Sequence, residues 1–318
     1  MKRLLITRTL PDANHAFAQS HFDTTLRSDV AGLTETEAAE ALCNYDAILP
    51  TLGDAFTAKA FEMAGENLRC GVIANFGVGY NHINVDAAKA AGVKVSNTPD
   101  TVTDATADIG MTLILSACRR AGEGERIVRA GEWIGWGPTQ MLGTHVTGKT
   151  VGIVGMGRIG QAVAHRCHYG FGMPVLYFNR STKSVEMPAR QVESLHDLMA
   201  QSDIVVVTVP ASAETQKMID AAALAAMKPT GIFVNIARGD VVDEEALIET
   251  LQERRIAGAG LDVYVKEPYV PEELRALENV VLLPHLGTAA LEVREAMGQM
   301  ALDNIMAWQA GKPLPQAV

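Results

Sequence analysis

Three charged side chains each follow a short apolar run in the last third of the chain. Arg238 follows "GIFVNI", Glu267 follows "GAGLDVY" and His285 follows "VVLLP". If these runs are parallel strands of one sheet, their carboxyl ends meet at the edge where open α/β sheets bind ligands. An arginine can hold a carboxylate by two hydrogen bonds, and an imidazolium steadied by a carboxylate can donate a proton to a carbonyl oxygen. The three residue types together predict the reduction of a keto acid.

A glycine pattern typical of dinucleotide binding lies upstream of these residues. In "VGIVGMGRIG", Gly155, Gly157 and Gly160 have GxGxxG spacing, between an apolar strand and a helix. The first glycine permits a tight turn, the second lets a pyrophosphate approach the backbone, and the third lets the helix pack closely on the strand. N–H groups at the start of the helix then attract phosphates. The alternative is a purely structural glycine turn.

The turn "NRSTK" has no carboxylate where NAD-binding proteins carry one. Residue 179, at the end of the strand "VLYF", is asparagine. An Asp or Glu there would bond the ribose hydroxyls and repel a 2′-phosphate, and Asn179 removes that repulsion. Arg180 offers a planar fork for phosphate oxygens, Ser181 and Thr182 add hydroxyl donors, and Lys183 adds a charge. These residues predict NADP(H), with NAD(H) bound more weakly; the alternative is an ordinary solvated basic turn.

Composition narrows the classes of partner. The chain has 318 residues, enough for about two domains. Its formal net charge of −10 argues against a nucleic-acid partner. No apolar run approaches the length of a membrane helix, and the first residues lack the apolar core of a signal peptide, so we expect a cytoplasmic protein. The cysteines form no CxxC pair and are expected to be reduced core residues: Cys43, Cys70, Cys118 and Cys167.

A metal site is not predicted. His165, Cys167 and His168 lie close together in "AHRCHYG", but no distant partner set completes a coordination shell, so a helix surface is the preferred interpretation.

Short β-rich runs alternate with helical patterns in two parts of the chain. From residue 150 onward the runs are "TVGIV", "VLYF", "IVVVTV", "GIFVNI", "GAGLDVY" and "VVLL". Such alternation predicts βαβ units and a parallel sheet, here of six strands. Residues 1–99 show a weaker alternation with the strand-like runs "RLLIT", "DAILP", "CGVIAN" and "VKVSN".

Two helical segments connect these parts. Residues 101–131 predict a long helix or helix pair, and the chain ends in the amphipathic pattern "AALEVREAMGQMALDNIMAWQAG". If that last helix packs back on the first part, the smaller domain is discontinuous and a cleft lies between two domains.

The sequence resembles the D-isomer-specific 2-hydroxyacid dehydrogenases over essentially its whole length. The matching blocks are "TVGIVGMGRIGQA", "VNIARGDVVDEEAL", "AGAGLDVYVKEP" and "LLPHLGTAA". Among members it is most similar to the glyoxylate/hydroxypyruvate reductases. The resemblance implies an α/β fold of two domains. A doubly wound parallel-sheet (Rossmann) NADP-binding domain, residues 100–287, would be inserted in a smaller flavodoxin-like substrate domain, residues 1–99 and 288–318.

The resemblance also implies roles for individual residues. Arg238 would bind the substrate carboxylate and carbonyl, Glu267 would orient the imidazole, and His285 would be the acid/base. Asp262 would accept a hydrogen bond from the nicotinamide carboxamide. The positions implied to bind substrate are Leu52, Val78, Gly79, Arg238 and His285. The positions implied to bind cofactor are Thr106, Gly155, Gly157, Arg158, Ile159, Gly160, Asn179, Arg180, Ser181, Thr182, Val209, Pro210, Ile236, Asp262 and Gly287.

The implied reaction is hydride transfer between NADPH and a small 2-keto acid, from glyoxylate or hydroxypyruvate to glycolate or D-glycerate. Alternatives are a dehydrogenase of another D-2-hydroxy acid or of phosphite, and a dinucleotide-sensing binding protein. Relatives form twofold dimers, and residues 122–138, with Trp133 and Trp136, fit an interface arm; a surface loop folded on its own domain is the alternative. Asp108 departs from the family's usual Glu and is expected to be structural.

Overall fold

A computed structural model describes all 318 residues and divides them into two compact units. The first unit comprises Met1–Val102 and Thr288–Val318, and the second comprises Thr103–Gly287. Each unit has its own parallel sheet with apolar clusters packed against it. None of the helices is both long enough and apolar enough to cross a bilayer.

The first unit is built on a five-stranded parallel sheet. Its strands are β1 (Arg3–Ile6), β2 (Asp23–Leu26), β3 (Ala47–Leu49), β4 (Val72–Ala74) and β5 (Lys94–Ser96). Its helices are α1 (Asp12–His21), α2 (Glu35–Asn44), α3 (Ala58–Ala64) and α4 (Val85–Ala90), together with the C-terminal helix Leu291–Gln309. The strand order β2-β1-β3-β4-β5 is the order of flavodoxin-like sheets, as predicted.

The four predicted strands of this unit are confirmed, and β2 was missed. Alternate residues of a strand point to opposite faces of the sheet, and here both faces are covered. Leu5 and Ile48 belong to one apolar cluster, whereas Leu4 and Leu49 belong to the other. The strand β2, with sequence "DTTL", lies at the sheet edge and buries none of its residues, so it has no apolar signal.

The C-terminal helix belongs to the first unit, a docking position that its periodic pattern alone did not specify. It packs on α1, β3 and β4. Trp308 lies directly over Gly71, where a Cβ would be 2.3 Å from the indole ring. The smaller unit is therefore made from both ends of the chain.

The second unit contains a seven-stranded parallel sheet. Its strands are β6 (Val151–Val154), β7 (Val175–Phe178), β8 (Ala189–Gln191), β9 (Ile204–Val207), β10 (Ile232–Asn235), β11 (Gly258–Leu261) and β12 (Val280–Leu282). Its helices are α5 (Thr103–Cys118), α6 (Ala121–Ala130), α7 (Arg158–His165), α8 (Leu195–Gln201), α9 (Ala221–Ala225), α10 (Glu244–Gln252) and α11 (Glu272–Arg275). A short π-helical segment, Arg166–Gly170, follows α7.

The strand order β12-β11-β10-β9-β6-β7-β8 is that of a doubly wound dinucleotide-binding sheet with one further strand at the β12 edge. All six predicted strands are present. The seventh, β8, has three residues and none of them is buried, so the apolar pattern missed it. The order reverses between β6 and β9, and ligands of such sheets bind outside the carboxyl ends of the strands at that point.

The predicted segment 101–131 is a helix pair. The helical conformation is interrupted between α5 and α6 at Arg120, which has a left-handed φ of 53°. Gly110 lets α5 approach the sheet, since a Cβ there would be 3.1 Å from Ile236. Arg166 forms ion pairs with Asp108 at 2.9 Å and Asp104 at 3.0 Å, so Asp108 joins α5 to the end of α7.

The cysteines are free; Cys43 is half-buried and the other three are buried. Burial raises the pKa of the Cys118 thiol to about 11 and that of Cys167 to about 12, which leaves both as unreactive thiols at neutral pH. No group of three or more His, Cys, Asp or Glu side chains is arranged to hold a metal ion.

Candidate active site

The glycine-rich turn joins β6 to α7 at the point where the strand order reverses. Gly155 has a φ of +96°, and a Cβ there would be 2.6 Å from the Val209 side chain. A Cβ at Gly160 would be 2.2 Å from the carbonyl oxygen of Gly155. Both positions therefore require glycine, for the turn and for the close packing that the sequence predicted.

Gly157 differs from the other two glycines because its Cβ position is open. No protein atom lies within 4 Å of that position, and no side chain caps the start of α7. Backbone N–H groups at an uncapped helix start are a binding site for anions. The turn thus fits the pyrophosphate of a dinucleotide, with Arg158 and Ile159 in the first turn of the helix.

Asn179 connects the glycine-rich turn to the turn after β7. Its Oδ1 accepts a hydrogen bond from the Met156 backbone N–H at 3.2 Å, and its Nδ2 donates to the Ser181 carbonyl at 2.7 Å. The uncharged Asn179 amide thus links the two turns by hydrogen bonds.

The guanidinium of Arg180, in the turn after β7, is already paired with a carboxylate. Arg180 Nη1 donates to Glu214 Oε2 at 2.8 Å, and both side chains are largely exposed. Ser181 and Thr182 are also exposed, and the Ser181 hydroxyl accepts a contact from Asn179 Nδ2 at 3.5 Å. Sequence reasoning missed Glu214, which lies in the segment after β9.

His285 and Glu267 form a hydrogen-bonded pair at the carboxyl ends of β11 and β12. The distance from His285 Nδ1 to Glu267 Oε2 is 2.7 Å, and the other carboxylate oxygen accepts the Tyr264 backbone N–H at 3.0 Å. Burial alone would raise the pKa of Glu267. The His285 hydrogen bond and charge, the Tyr264 N–H and the Arg238 charge outweigh burial and lower that pKa. Glu267 is therefore an ionised partner, and the Nε2 atom of His285 is left for a ligand.

Asp262 holds the backbone that carries His285. Its two carboxylate oxygens accept the N–H groups of Leu286 at 2.7 Å and Gly287 at 2.8 Å, and its carbonyl accepts the His285 N–H at 3.0 Å. Thr106 adds a hydrogen bond from its hydroxyl to the Gly287 carbonyl at 3.2 Å. Burial raises the pKa of Asp262, and the two N–H donors oppose that effect. The observed contacts of Asp262 thus fix the turn at His285, which itself has a left-handed φ of 56°.

Arg238 lies in the turn after β10. Asn235 braces this turn: its Nδ2 donates to the Arg238 carbonyl at 2.9 Å and its Oδ1 accepts the Ala237 N–H at 2.9 Å. The next residue, Gly239, packs directly on backbone at Tyr264, where a Cβ would be 2.0 Å from the carbonyl carbon. This contact places the Arg238 turn against the segment that carries Glu267.

The electrostatics agree with this placement. Burial lowers the pKa of the Arg238 guanidinium, and the negative charges of Glu267 and Asp240 oppose that effect. Arg238 Nη1 donates a hydrogen bond to the Ala237 carbonyl at 2.6 Å. Arg238, Glu267 and His285 thus follow the carboxyl ends of three adjacent strands, β10, β11 and β12, at one edge of the second sheet.

The first unit presents its own loops at the predicted substrate positions. Leu52 and Val78 are exposed and Gly79 is half-buried. Asn75 Nδ2 donates to the carbonyl oxygen of Gly79 at 3.0 Å, and Asn97 Nδ2 donates to that of Val78 at 2.9 Å. Amide side chains thus satisfy these two carbonyl groups and hold the loop.

A family model that describes the NAD-binding domain of D-isomer specific 2-hydroxyacid dehydrogenases matches residues 111–287. The chain belongs to this family. A glyoxylate reductase of Thermococcus kodakarensis is 43% identical over 99% of this chain and 96% of its own length. A glycerate dehydrogenase of Hyphomicrobium methylovorum is 38% identical over 100% of this chain and 99% of its own length. The resemblance inferred from the four sequence blocks is therefore confirmed.

A solved relative has the same fold over nearly all of its length. The NADPH-dependent glyoxylate/hydroxypyruvate reductase of Sinorhizobium meliloti, in complex with NADP and malonate, superimposes with a TM-score of 0.87 at 33% identity. The match covers 100% of this chain and 96% of that one.

The remaining predicted cofactor positions of this dehydrogenase lie around the same sheet edge. Val209 and Pro210 follow β9, and Val209 packs on Gly155. Ile236 follows β10 and is buried.

Sequence reasoning missed residues of this 2-hydroxyacid dehydrogenase that hold the site rather than face a ligand. Asn235 and Tyr264 were within predicted strand runs. A buried polar residue in an otherwise apolar strand is the signal that could have identified Asn235.

Proposed function

We propose that this dehydrogenase is an NADP-dependent reductase of glyoxylate and hydroxypyruvate, giving glycolate and D-glycerate. One observation carries the proposal: an imidazole hydrogen-bonded to an ionised carboxylate lies on the same sheet edge as a half-buried arginine and a glycine-rich turn. The glyoxylate reductase, glycerate dehydrogenase and NADP-complexed relatives support the choice of substrates and cofactor.

The chemistry follows from two groups, the Arg238 guanidinium and the Nε2 atom of His285. The Arg238 guanidinium binds the substrate carboxylate and polarises the neighbouring carbonyl. His285 donates its Nε2 proton to the carbonyl oxygen, since Nδ1 is bonded to Glu267. The charge of Glu267 stabilises the imidazolium before transfer. When bound, the nicotinamide would supply the hydride that the carbonyl carbon receives, so one hydride and one proton would convert the carbonyl group to the alcohol.

The proposal assigns cofactor binding to residues 100–287 and substrate binding to residues 1–99 and 288–318. The backbone N–H groups at Val78 and Gly79 would receive the substrate carboxylate, and Leu52 would contact the carbon chain. Asp262 would add a hydrogen bond to the nicotinamide carboxamide, and the other named cofactor positions would surround the dinucleotide.

A substrate panel tests this function. We expect NADPH oxidation with glyoxylate and hydroxypyruvate at a kcat/KM at least about tenfold above that with pyruvate or a bulkier 2-keto acid. One methyl group beyond glyoxylate changes pocket discrimination by about that order, and pyruvate lacks the hydroxyl group that hydroxypyruvate offers for a hydrogen bond. Reduction of NADP⁺ by phosphite is measured in parallel. Equal or faster turnover of pyruvate or phosphite contradicts the substrate assignment, and tight NADPH binding without turnover of any acid identifies a dinucleotide-sensing protein.

Cofactor preference is tested at Arg180. In Arg180→Ala we expect the KM for NADPH to rise about tenfold or more while that for NADH changes little, because one guanidinium–phosphate pair is lost. Steady-state kinetics with both cofactors at fixed glyoxylate measure the ratio. Arg190→Ala is the matched control, since Arg190 is an exposed arginine of the edge strand β8. An unchanged ratio in Arg180→Ala refutes the 2′-phosphate assignment.

We also propose a twofold dimer formed through the arm at residues 122–138. After α6 the chain exposes a row of large apolar side chains, and such groups favour interface cores. They are Trp133, Ile134 and Trp136. A cavity of about 800 Å³ beside α5, α6 and β12 would receive the corresponding arm of a second copy.

A further inference from the structure

The corner after β7 contains a carboxylate that the NADPH assignment does not use. Glu214 Oε2 lies 2.8 Å from Arg180 Nη1. The segment that carries Glu214 is itself structured: the Thr215 hydroxyl accepts the Ser212 N–H at 2.8 Å and donates to the Pro210 carbonyl at 2.7 Å. Glu214 therefore contacts Arg180 from a hydrogen-bonded turn after the carboxyl end of β9, which is separated from β7 by β6.

This arrangement brings an acidic group to a corner that has none at position 179. Asn179 is neutral and bonded on both sides, so it neither attracts nor repels a phosphate strongly. The nearest charge of opposite sign to Arg180 comes from Glu214, across the point of strand reversal. A 2′-phosphate that binds Arg180 must share or displace this partner.

We propose that Glu214 is a specificity-determining residue that limits the preference for NADPH over NADH. The inference rests on the proposed role of Arg180 toward the 2′-phosphate. With NADH, the Arg180–Glu214 pair stays closed, and no charge is left unpaired. With NADPH, the phosphate takes the guanidinium, and the displaced carboxylate stays within a few ångströms of a dianion and repels it.

Substitution of the carboxylate by its neutral amide tests the proposal. In Glu214→Gln we expect the Kd for NADPH to fall about fivefold at low salt, the size of a screened charge–dianion repulsion at a solvated site. The Kd for NADH should stay the same or rise. Isothermal titration calorimetry of the full-length protein with NADPH, NADH and the fragments 2′,5′-ADP and 5′-AMP measures these constants. The gain in affinity for NADPH and 2′,5′-ADP should be smaller at high salt.

A matched control separates local from general charge effects. Glu253→Gln removes the same charge from another ion pair, in which exposed Glu253 lies 2.9 Å from half-buried Arg255 at the amino-terminal edge of the sheet. It should leave both cofactor affinities unchanged. An equal gain in Glu253→Gln means that net charge alone is responsible, and the proposal for Glu214 falls.

The Arg180→Ala variant distinguishes an error in the proposed role of Arg180 from an error in the proposed role of Glu214. If Arg180→Ala leaves the NADPH/NADH ratio unchanged, the assignment of Arg180 to the phosphate is wrong. If Arg180→Ala loses the preference but Glu214→Gln gains none, only the role of Glu214 is wrong. Weaker NADPH binding in Glu214→Gln also overturns it, because the carboxylate would then orient Arg180 for the phosphate.

Discussion

Replacing His285 with glutamine is expected to lower kcat for glyoxylate reduction about a thousandfold, within the range that a positioned acid–base group contributes. Glutamine can keep a hydrogen bond to Glu267 but has no ionisable proton for the carbonyl oxygen. The KM for NADPH should change little, because the glycine-rich turn lies on other strands. Steady-state kinetics with glyoxylate, together with NADPH titration, measure both effects.

His196→Gln is the control for this substitution, since His196 is an exposed histidine of α8. It should retain the activity of the unmodified protein. If His285→Gln stays within about tenfold of that activity, the proton comes from another group and the acid/base assignment is wrong.

The larger features of the fold could be predicted because they depend on apolar periodicity. Six strands of the second sheet and four of the first were apparent as β-rich runs, since each buries at least one apolar residue. The strands β2 and β8 were not apparent, because they lie at sheet edges and bury nothing. Their positions are determined by tertiary pairing, which a local pattern does not contain.

Part of the candidate site could likewise be predicted from the sequence, and part could not. Arg238, Glu267 and His285 could be predicted to meet because carboxyl ends of parallel strands share an edge. The Glu267–His285 hydrogen bond could be anticipated from residue types, and the structure places the two atoms 2.7 Å apart.

The Arg180–Glu214 pair could not be predicted in that way. Its members follow β7 and β9, which are separated in the sheet by β6. Only the strand order, and then the path of each loop, brings the two charges together.

The hydrogen bonds that support the site could not be predicted from the sequence either. Asp262 was implied to face the nicotinamide, and its observed hydrogen bonds instead hold the Leu286 and Gly287 backbone. Both are compatible, since each carboxylate oxygen has a second lone pair. Backbone N–H partners of this kind depend on turn geometry that residue types do not specify.

Arg238→Lys is expected to lower kcat/KM for glyoxylate by about two to three orders of magnitude, with much of the loss in KM, because lysine keeps the charge but not the planar two-bond fork. Retaining a cation near Glu267 limits the effect on folding, and the brace from Asn235 to the backbone of residue 238 is untouched. The measurement is kcat and KM for glyoxylate and hydroxypyruvate, with the Kd for NADPH as an internal control. Arg190→Lys, on the edge strand β8, should change none of these values. An unchanged KM in Arg238→Lys would mean that the substrate carboxylate binds elsewhere, and the bound acid would then be held chiefly by the backbone N–H groups at Val78 and Gly79.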